Sequence, residues 1–434
     1  MLEKLFHLEA NHTRVRTEIL AGFTTFITMA YIIIVNPAIL EAAGIPKGPS
    51  MIATIITAVF GTLIMGIYAN RPFAIAPYMG ENAFIAYTVV KQMGYSWQTA
   101  LAAIFLGGVL FVILTAFKIR GWLVEAVPEG LKISFAVGIG LFLAFIGLND
   151  TGLVALGVPG APVTFGQISS TPVLLAVGCL LLMGALFAWR VRGAILISIL
   201  AVTIFAMIFK LTPAPEGLIS FQWNLSEIAF KIDFGAVLTL GFLQVVLVVF
   251  ILDFVDTMGT LIGASSRAGF LDENGNLPQI EKPLMADALA TVFGSLMGTT
   301  TAGTYIESAS GIEEGGRTGL TSIVVAILFL CALFFGPFLT AVPAFAYGPA
   351  LMIVGVFMIA PISRLKFDDM TELIPAFFTI VLMSFTYNIG IGMTAGFIMY
   401  PFFKLVSGRG KEIPAGLWVL GVLSVLFYVL YPYH

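Results

Sequence analysis

The stretches PFAIAPYMGENAFIAYTVV (72–90) and GTTTAGTYIESASGIE (298–313) are apolar enough for a membrane interior but too interrupted to cross it as plain helices. The first sets two prolines ahead of Gly80-Glu81-Asn82-Ala83, and the second sets a Thr-rich run ahead of Glu307-Ser308-Ala309. Each reads as a few extended residues followed by a half-helix. Backbone freed from helical bonding survives at membrane depth only where protein buries it or a cavity receives it. Matching interruptions in two halves of a chain therefore point to a transporter's central site.

The surrounding sequence fits that reading. Of 434 residues, 59% are hydrophobic and 10% charged, with mean hydropathy +1.02, whereas ordinary soluble domains carry about 25% charged residues. Apolar runs of spanning length occur at 19–40, 51–69, 99–118, 130–148, 172–190, 193–210, 236–263, 319–342, 346–361, 371–387 and 389–406, with a shorter, more polar run at 284–299. If each interrupted segment is the third span of seven, the repeats are 19–210 and 236–406. Seven is odd, so the second copy is inverted, giving an all-α polytopic protein of 14 spans. Residues 412–432 remain as an extra hydrophobic C-terminal helix, crossing once more or lying along the inner face. Asn36-Pro37, Gly48-Pro49 and Gly336-Pro337 are expected at or near the ends of runs.

Charge sets the orientation. With the N-terminal segment 1–18 cytoplasmic, all but Lys47, Lys91, Lys210 and Lys231 among the 21 Lys and Arg fall on the inside, including Lys118, Arg120 and the basic run Lys404 to Lys411. Residues 149–171 hold no Lys or Arg and fit the outer face. No cleavable signal peptide opens the chain, and a multi-pass protein of the cell (inner) membrane is expected. A net charge of −3 gives no reason to expect a nucleic-acid partner. Cys179 and Cys331 read as small buried hydrophobes. His7, His12 and His434 lie at the termini, which leaves no intramembrane zinc site or His relay.

Acids at bilayer depth cost several kcal/mol unless they face a cavity or partner, and by default mark function. VVLVVFILDFVDTMGTLIG (245–263) carries Asp253 and Asp256, with Thr257 and Thr260 four residues beyond each in turn, so two carboxylates and two hydroxyls share one helical face. Such carboxylates accept N–H bonds from a solute and can exchange a proton; the structural alternative is a bond to neighbouring backbone. Glu307, after Thr299-Thr300-Thr301 and Thr304, is a second anchor for ligand N–H groups or a cap for its own half-helix. Asn82 offers donor and acceptor to a carbonyl or ring nitrogen, or a bond between the half-helices. Glu81 faces the site or a water-filled vestibule. Asp287 is expected to make an intraprotein hydrogen bond. Glu313, Glu314 and Arg317 read as a solvated turn with an ion pair, and Gly390, Gly392 and Gly396 as close helix packing.

AGFTTFITMAYIIIVNP (21–37), APYMGENAF (76–84), LDFVDTMGTLIGAS (252–265), TYIESASGIEEGGRTGLT (304–321) and SGRGKEI (407–413), in that order over essentially the whole chain, resemble the AzgA-like purine permeases of the nucleobase–cation symporter 2 (nucleobase–ascorbate transporter) superfamily. The resemblance implies the uracil-permease fold, with short antiparallel strands before the third and tenth helices. It implies a core domain (19–125 and 236–342), a gate domain (126–235 and 343–411) and a segment 412–434 beyond them, with a homodimer formed through the gate. It implies proton-coupled uptake of adenine, guanine or hypoxanthine by an elevator motion, with no cofactor beyond the coupling proton. Asp253 and Glu307 would hold the base, with Asn82, Glu81, Thr304 and Thr257 around it. Asp253, Glu307 and Asp256 are the candidates for proton coupling. Family members usually read Gly-Leu-Asn-Ala-Phe where this chain has Glu81. A third acid favours a ligand richer in N–H donors, so another nitrogen-rich or cationic solute is the alternative. An anion channel or exchanger on the same fold is opposed by the acids. An enzyme is not expected, since no catalytic Ser elbow, His or metal cluster lies at depth.

Overall fold

The structure is a computed structural model that describes residues 2–117, 127–158, 161–215, 217, 219–221, 223–235, 240–273 and 277–430. Lys118, Arg120, His434 and the start of the 236–263 run lie outside the described residues. The elements are α1 (Leu2–Phe6), α2 (Val15–Met29), α3 (Ile32–Glu41), α4 (Lys47–Ile64), β1 (Ile75–Pro77), α5 (Met79–Ala83), α6 (Trp97–Ala116), α7 (Glu129–Asp150), β2 (Val154–Val158), β3 (Ala161–Phe165), α8 (Thr171–Ala188), α9 (Ala194–Ile208), α10 (Leu240–Ala268), α11 (Glu281–Met297), β4 (Ala302–Thr304), α12 (Ser308–Glu313), α13 (Gly319–Ala332), α14 (Ala344–Ile359), α15 (Met370–Phe385), α16 (Ile389–Val406) and α17 (Ala415–Leu430). Among the described residues, nine helices are long and apolar enough to cross a membrane, and α9, α15 and 415–426 are shorter apolar helices.

Both interrupted segments take the expected form. β1 and β4 pair antiparallel, with Ile75 opposite Thr304, Ala76 opposite Gly303 and Pro77 opposite Ala302. Tyr78 N–H donates to Thr301 O (3.0 Å) and Tyr305 N–H to Ala74 O (2.9 Å), extending the ladder at both ends. The groups that two short strands leave over are met by one threonine from each half of the chain. Thr62 Oγ1 of α4 accepts from Ile75 N–H (2.9 Å) and donates to Ile75 O (3.1 Å). Thr291 Oγ1 of α11 accepts from Ala302 N–H (3.0 Å) and lies 3.1 Å from Ala302 O. Gly303 is required here, because a Cβ would overlap the Tyr78 ring. After β1 the chain enters α5, which continues as a π-helix over Phe84–Gln92, and after β4 it enters α12.

The helices pack in two groups. In one, α4 contacts α3, α11 and α13, α6 contacts α10 and α11, and α2 contacts α12 and α13. In the other, α7 packs on α14 and α15, α15 on α16, and α8 on α9 and α14. α5 touches α7 where Gly80 meets Ile139, with a Cβ on Gly80 only 2.8 Å from the Ile139 side chain. The π-helix is tied to the α15–α16 connection by Thr88 Oγ1 donating to Tyr387 O (2.9 Å) and Gln92 Nε2 donating to Thr386 O (3.1 Å).

Several sequence expectations are corrected. The run 19–40 is broken at Ala30-Tyr31 into α2 and α3, and Pro37 sits inside α3 rather than at its end. α2 begins at Val15, ahead of the start expected at residue 19, and Glu18 is fully buried. Its carboxylate accepts from the N–H groups of Arg317 (2.9 Å), Thr318 (3.3 Å) and Thr321 (3.2 Å) and from Thr321 Oγ1 (2.6 Å), so a distant acid satisfies the open N-terminus of α13. Glu314 pairs with Arg192, while Arg317 donates to the carbonyls of Ile312 (2.7 Å) and Gly316 (2.8 Å). Cys331 is exposed and Cys179 buried. The 149–171 segment contains a β2–β3 hairpin.

Lys404 does not belong to a solvated basic run. It is fully buried and contacts Glu412 (2.9 Å), Glu372 (3.3 Å) and Asp369 (3.7 Å), while Arg409 binds Asp369 and Glu412 at 2.7 Å each. This ion-pair cluster anchors the turn that leads into α17. Hydrogen bonds from Arg409 and then Lys404 pull the Glu412 carboxyl down to about 2, and the Thr371 hydroxyl, then Arg409, holds Asp369 below the ordinary carboxylate range. A depressed folded-state pKa contributes stability above the unfolded value, near 4, that is lost as pH falls through the folded value. The cluster is therefore expected to hold down to about pH 4 and to open between about pH 4 and 2. Hydrogen exchange across 407–426 should rise in that window before the rest of the fold yields; protection unchanged to pH 2 would refute this.

Candidate functional site

The acids gather around the crossing of β1 and β4. α10 packs against β4, α5 and α12 and brings Asp253, Asp256, Thr257 and Thr260 to it. Asp253 is buried, and its Oδ2 lies 3.2 Å from Thr291 Oγ1, the hydroxyl that also serves the β4 backbone. Thr291 thus links Asp253 to the strand. Asp256 is partly exposed; its Oδ2 lies 3.8 Å from where a Gly80 Cβ would stand, so its carboxyl lies over the start of α5. The hydroxyls of Thr257 and Thr260 share the face of the acids but serve another group. They lie 3.3 and 3.2 Å from Tyr78 Oη, which donates to Thr304 O (3.1 Å).

Glu307 is the residue before the first turn of α12 and does not cap it. Its Oε1 accepts from Tyr31 Oη (2.5 Å), at the break between α2 and α3. That bond fixes one carboxylate oxygen and leaves the group partly exposed. Thr304 Oγ1 donates to Asp287 Oδ1 (3.0 Å), the intraprotein bond expected of that acid. Asn82 is fully buried in an amide–hydroxyl network: its Nδ2 donates to Asn36 Oδ1, and Thr300 Oγ1 donates to its Oδ1. Asn36 Nδ2 in turn donates to Thr54 (2.7 Å) and Thr299 (3.0 Å). Glu81, one residue earlier, is 1% exposed, and neither carboxylate oxygen has a hydrogen-bond partner.

Tyr31, Tyr78, Tyr305, Asn36 and Thr291 were not singled out by sequence. A signal for two of them was present, since Tyr78 and Tyr305 each directly follow a strand, in Ala-Pro-Tyr and Gly-Thr-Tyr. Their rings stack with centroids 6.1 Å apart and planes 6° from parallel, and Tyr305 Oη donates to Pro77 O (2.5 Å). Chemically, the site offers carboxylate acceptors held by tyrosine and threonine hydroxyls. Among the described residues the one buried Lys or Arg is Lys404, engaged by the acids near α15 and α17. Such a surface suits a ligand rich in N–H donors and repels anions.

Residues 16–397 match the xanthine/uracil permease family, and the chain belongs to that family of nucleobase–ascorbate transporters, which are membrane permeases and not enzymes. It is 37% identical to the adenine permease AdeP of Escherichia coli, over 100% of this chain and 97% of that protein. It is 39% identical to the guanine/hypoxanthine permease PbuO of Bacillus subtilis, over 98% and 99% respectively. Among solved structures, the transmembrane domain of the bicarbonate transporter BicA of a cyanobacterium superposes with a TM-score of 0.65 at 17% identity, covering 88% of this chain and 96% of that one. At that identity the likeness shows a shared fold alone. The protein is therefore a mostly helical, multi-pass membrane protein.

The Asn82 network supplies a test of role. Asn82→Ala leaves Asn36 and Thr300 facing a void, and each buried group left unpaired costs about 1–3 kcal/mol. Thermal unfolding in detergent should fall accordingly, as it should for Asn36→Ala. Unchanged stability with lost ligand binding would instead make Asn82 a ligand contact.

Proposed function

We propose that this protein is a proton-coupled symporter that imports a purine nucleobase, adenine, guanine or hypoxanthine. The observation that carries this reading is the placement of Asp253 and Glu307 on two packed elements, α10 and the entry to α12, around a strand crossing with no cation paired to them among the described residues. A purine presents several N–H groups and ring nitrogens on a flat edge, which two separated carboxylates can meet from different directions. Relatives named as adenine and guanine/hypoxanthine permeases across essentially the whole chain support the choice of solute. Asp253 and Glu307 are assigned to the base and, with Asp256, to proton coupling. Thr257, Thr304 and Asn82 serve as supports, because their polar atoms are committed to Tyr78, Asp287 and Asn36.

The proposed architecture is 14 spans in two inverted repeats. The equivalent services of Thr62 to β1 and Thr291 to β4 support it, since one device recurs in both halves. A core (19–125 and 236–342) sliding against a gate (126–235 and 343–411) is supported by the two packing groups and by the few side-chain bonds from the π-helix to Thr386 and Tyr387. The cytoplasmic N-terminus and a dimer through the gate belong to the same proposal.

Glu307→Gln and Asp253→Asn each replace a charge-assisted hydrogen bond of about 1.5–3 kcal/mol. Binding of the preferred purine, measured by calorimetry, should weaken about 10- to 100-fold in each. Wild-type uptake and binding in both variants would sink the proposal. Tyr31→Phe, which frees Glu307 to rotate, should weaken binding by a smaller factor with little change in thermal stability.

A further inference from the structure

Glu81 has no place in the hydrogen-bonding scheme of the site. Its carboxyl is 1% exposed and both oxygens lack a hydrogen-bond partner, while the next residue, Asn82, is fully used. The charged groups whose fields reach it are Asp256 and then Asp253, both of α10, and its own field reaches Tyr305. From α7 the neighbour at this level is the apolar Ile139, packed against Gly80. Among the described residues no cation is paired with these acids. A bare carboxylate buried near two others pays desolvation and repulsion with nothing in return, whereas a carboxylic acid there is neutral.

We propose that Glu81 joins the proton-coupling acids as the residue that stores the coupling proton, held as a carboxylic acid and exchanging it with Asp256 when the site opens. This rests on the proton-coupled reading above and assigns its proton site. The two acids are arranged for exchange: Asp256 is partly exposed and lies over Gly80, while Glu81 is sealed one residue further on. When the site opens, the O–H bond of Glu81 breaks and its proton passes to the Asp256 carboxylate, and from there to water. The reverse transfer reloads Glu81 on the other side. The position also links charge to movement. Where α5 meets α7 the neighbour is the apolar Ile139, and an uncharged acid would move past such a side chain at far lower cost than a carboxylate.

Infrared spectroscopy of the purified full chain at neutral pH tests the protonation without any ligand. The wild type should show a carboxylic-acid C=O stretching band that shifts in D2O. Glu81→Gln, close to isosteric with the acid, and Glu81→Leu should both lose it, and Glu307→Gln should keep it. In proteoliposomes an inward gradient of one pH unit should drive about tenfold accumulation of the transported purine for one coupled proton. Glu81→Gln should lose that accumulation relative to its own base exchange. A band that survives in both Glu81 variants, or gradient-driven accumulation by Glu81→Gln, overturns the inference. So does displacement of purine uptake by small amines in the wild type but not in Glu81→Leu, which would make Glu81 a cation-binding group. If no purine binds the wild type, the functional reading fails while the infrared band still decides the state of Glu81.

Discussion

The backbone of β1 and β4 is the constraint from which the rest of the site follows. Non-helical chain at membrane depth has no water to bond with, so every N–H and C=O must find protein. Two strands of three residues cannot meet that demand alone. The deficit is met by Tyr78 N–H and Tyr305 N–H at the ends and by the Thr62 and Thr291 hydroxyls at the edges. Once the strands are fixed, so are the points at which α5 and α12 begin, and with them Glu81, Asn82 and Glu307. Glycine at 303 lets the Tyr78 ring close over the pair, which couples ladder geometry to the Thr257 and Thr260 hydroxyls of α10. A ligand held by Asp253 is therefore held by a residue tied through Thr291 to the same ladder.

This arrangement also explains how the membrane interior tolerates so many acids. Glu18 is offset by three backbone N–H groups and a hydroxyl at the start of α13. Glu307 has Tyr31, Asp287 has Thr304 and Asp253 has Thr291. Each bond recovers part of the desolvation cost, and bonds to charged groups recover more than neutral ones. Hydroxyl donors satisfy a carboxylate without neutralising it, so the acids keep their affinity for ligand donors. A lysine in the same place would have closed the site with an internal ion pair, as Lys404 does with the acids near α15 and α17.

The two interrupted segments, the helical runs and the acids were legible in the sequence because membrane burial makes polarity and chain breaks expensive and therefore conspicuous. The strand pairing was reached through family resemblance, while the register was not, since three apolar residues carry no pattern that sets one. Tyr31 was hidden because nothing in AGFTTFITMAYIIIVNP announces that the helix breaks before it; the obvious breaker, Pro37, lies inside α3. Glu18 was not singled out for a related reason. An acid just ahead of an apolar run looks solvated unless the helix that needs its carboxylate, about 300 residues later, is known to lie beside it. The partners of Lys404 were hidden likewise, because its neighbours in sequence show a basic run where folding makes one buried cation among three acids. Side-chain partners far apart in sequence leave no local trace.

The division of the site between packing groups bears on how access to it can change. Asp253, Asp256, Glu307, Tyr31 and the strand pair all ride on elements that pack among α2 to α6 and α10 to α13. Ile139, which meets Gly80, belongs to α7 and packs with α14 and α15. These acids thus lie on one side of a boundary where the residue facing Gly80 from the other side is apolar. An apolar wall has no partner to lose when it slides, whereas a polar one would break bonds at every step. The bonds that do cross the boundary from the π-helix end on the backbone carbonyls of Thr386 and Tyr387, at the connection between α15 and α16. The Arg192–Glu314 ion pair joins the two groups at another point, between the α8–α9 connection and the end of α12. A rigid polar site facing a smooth apolar wall is the division of labour that relative motion of the two groups would require.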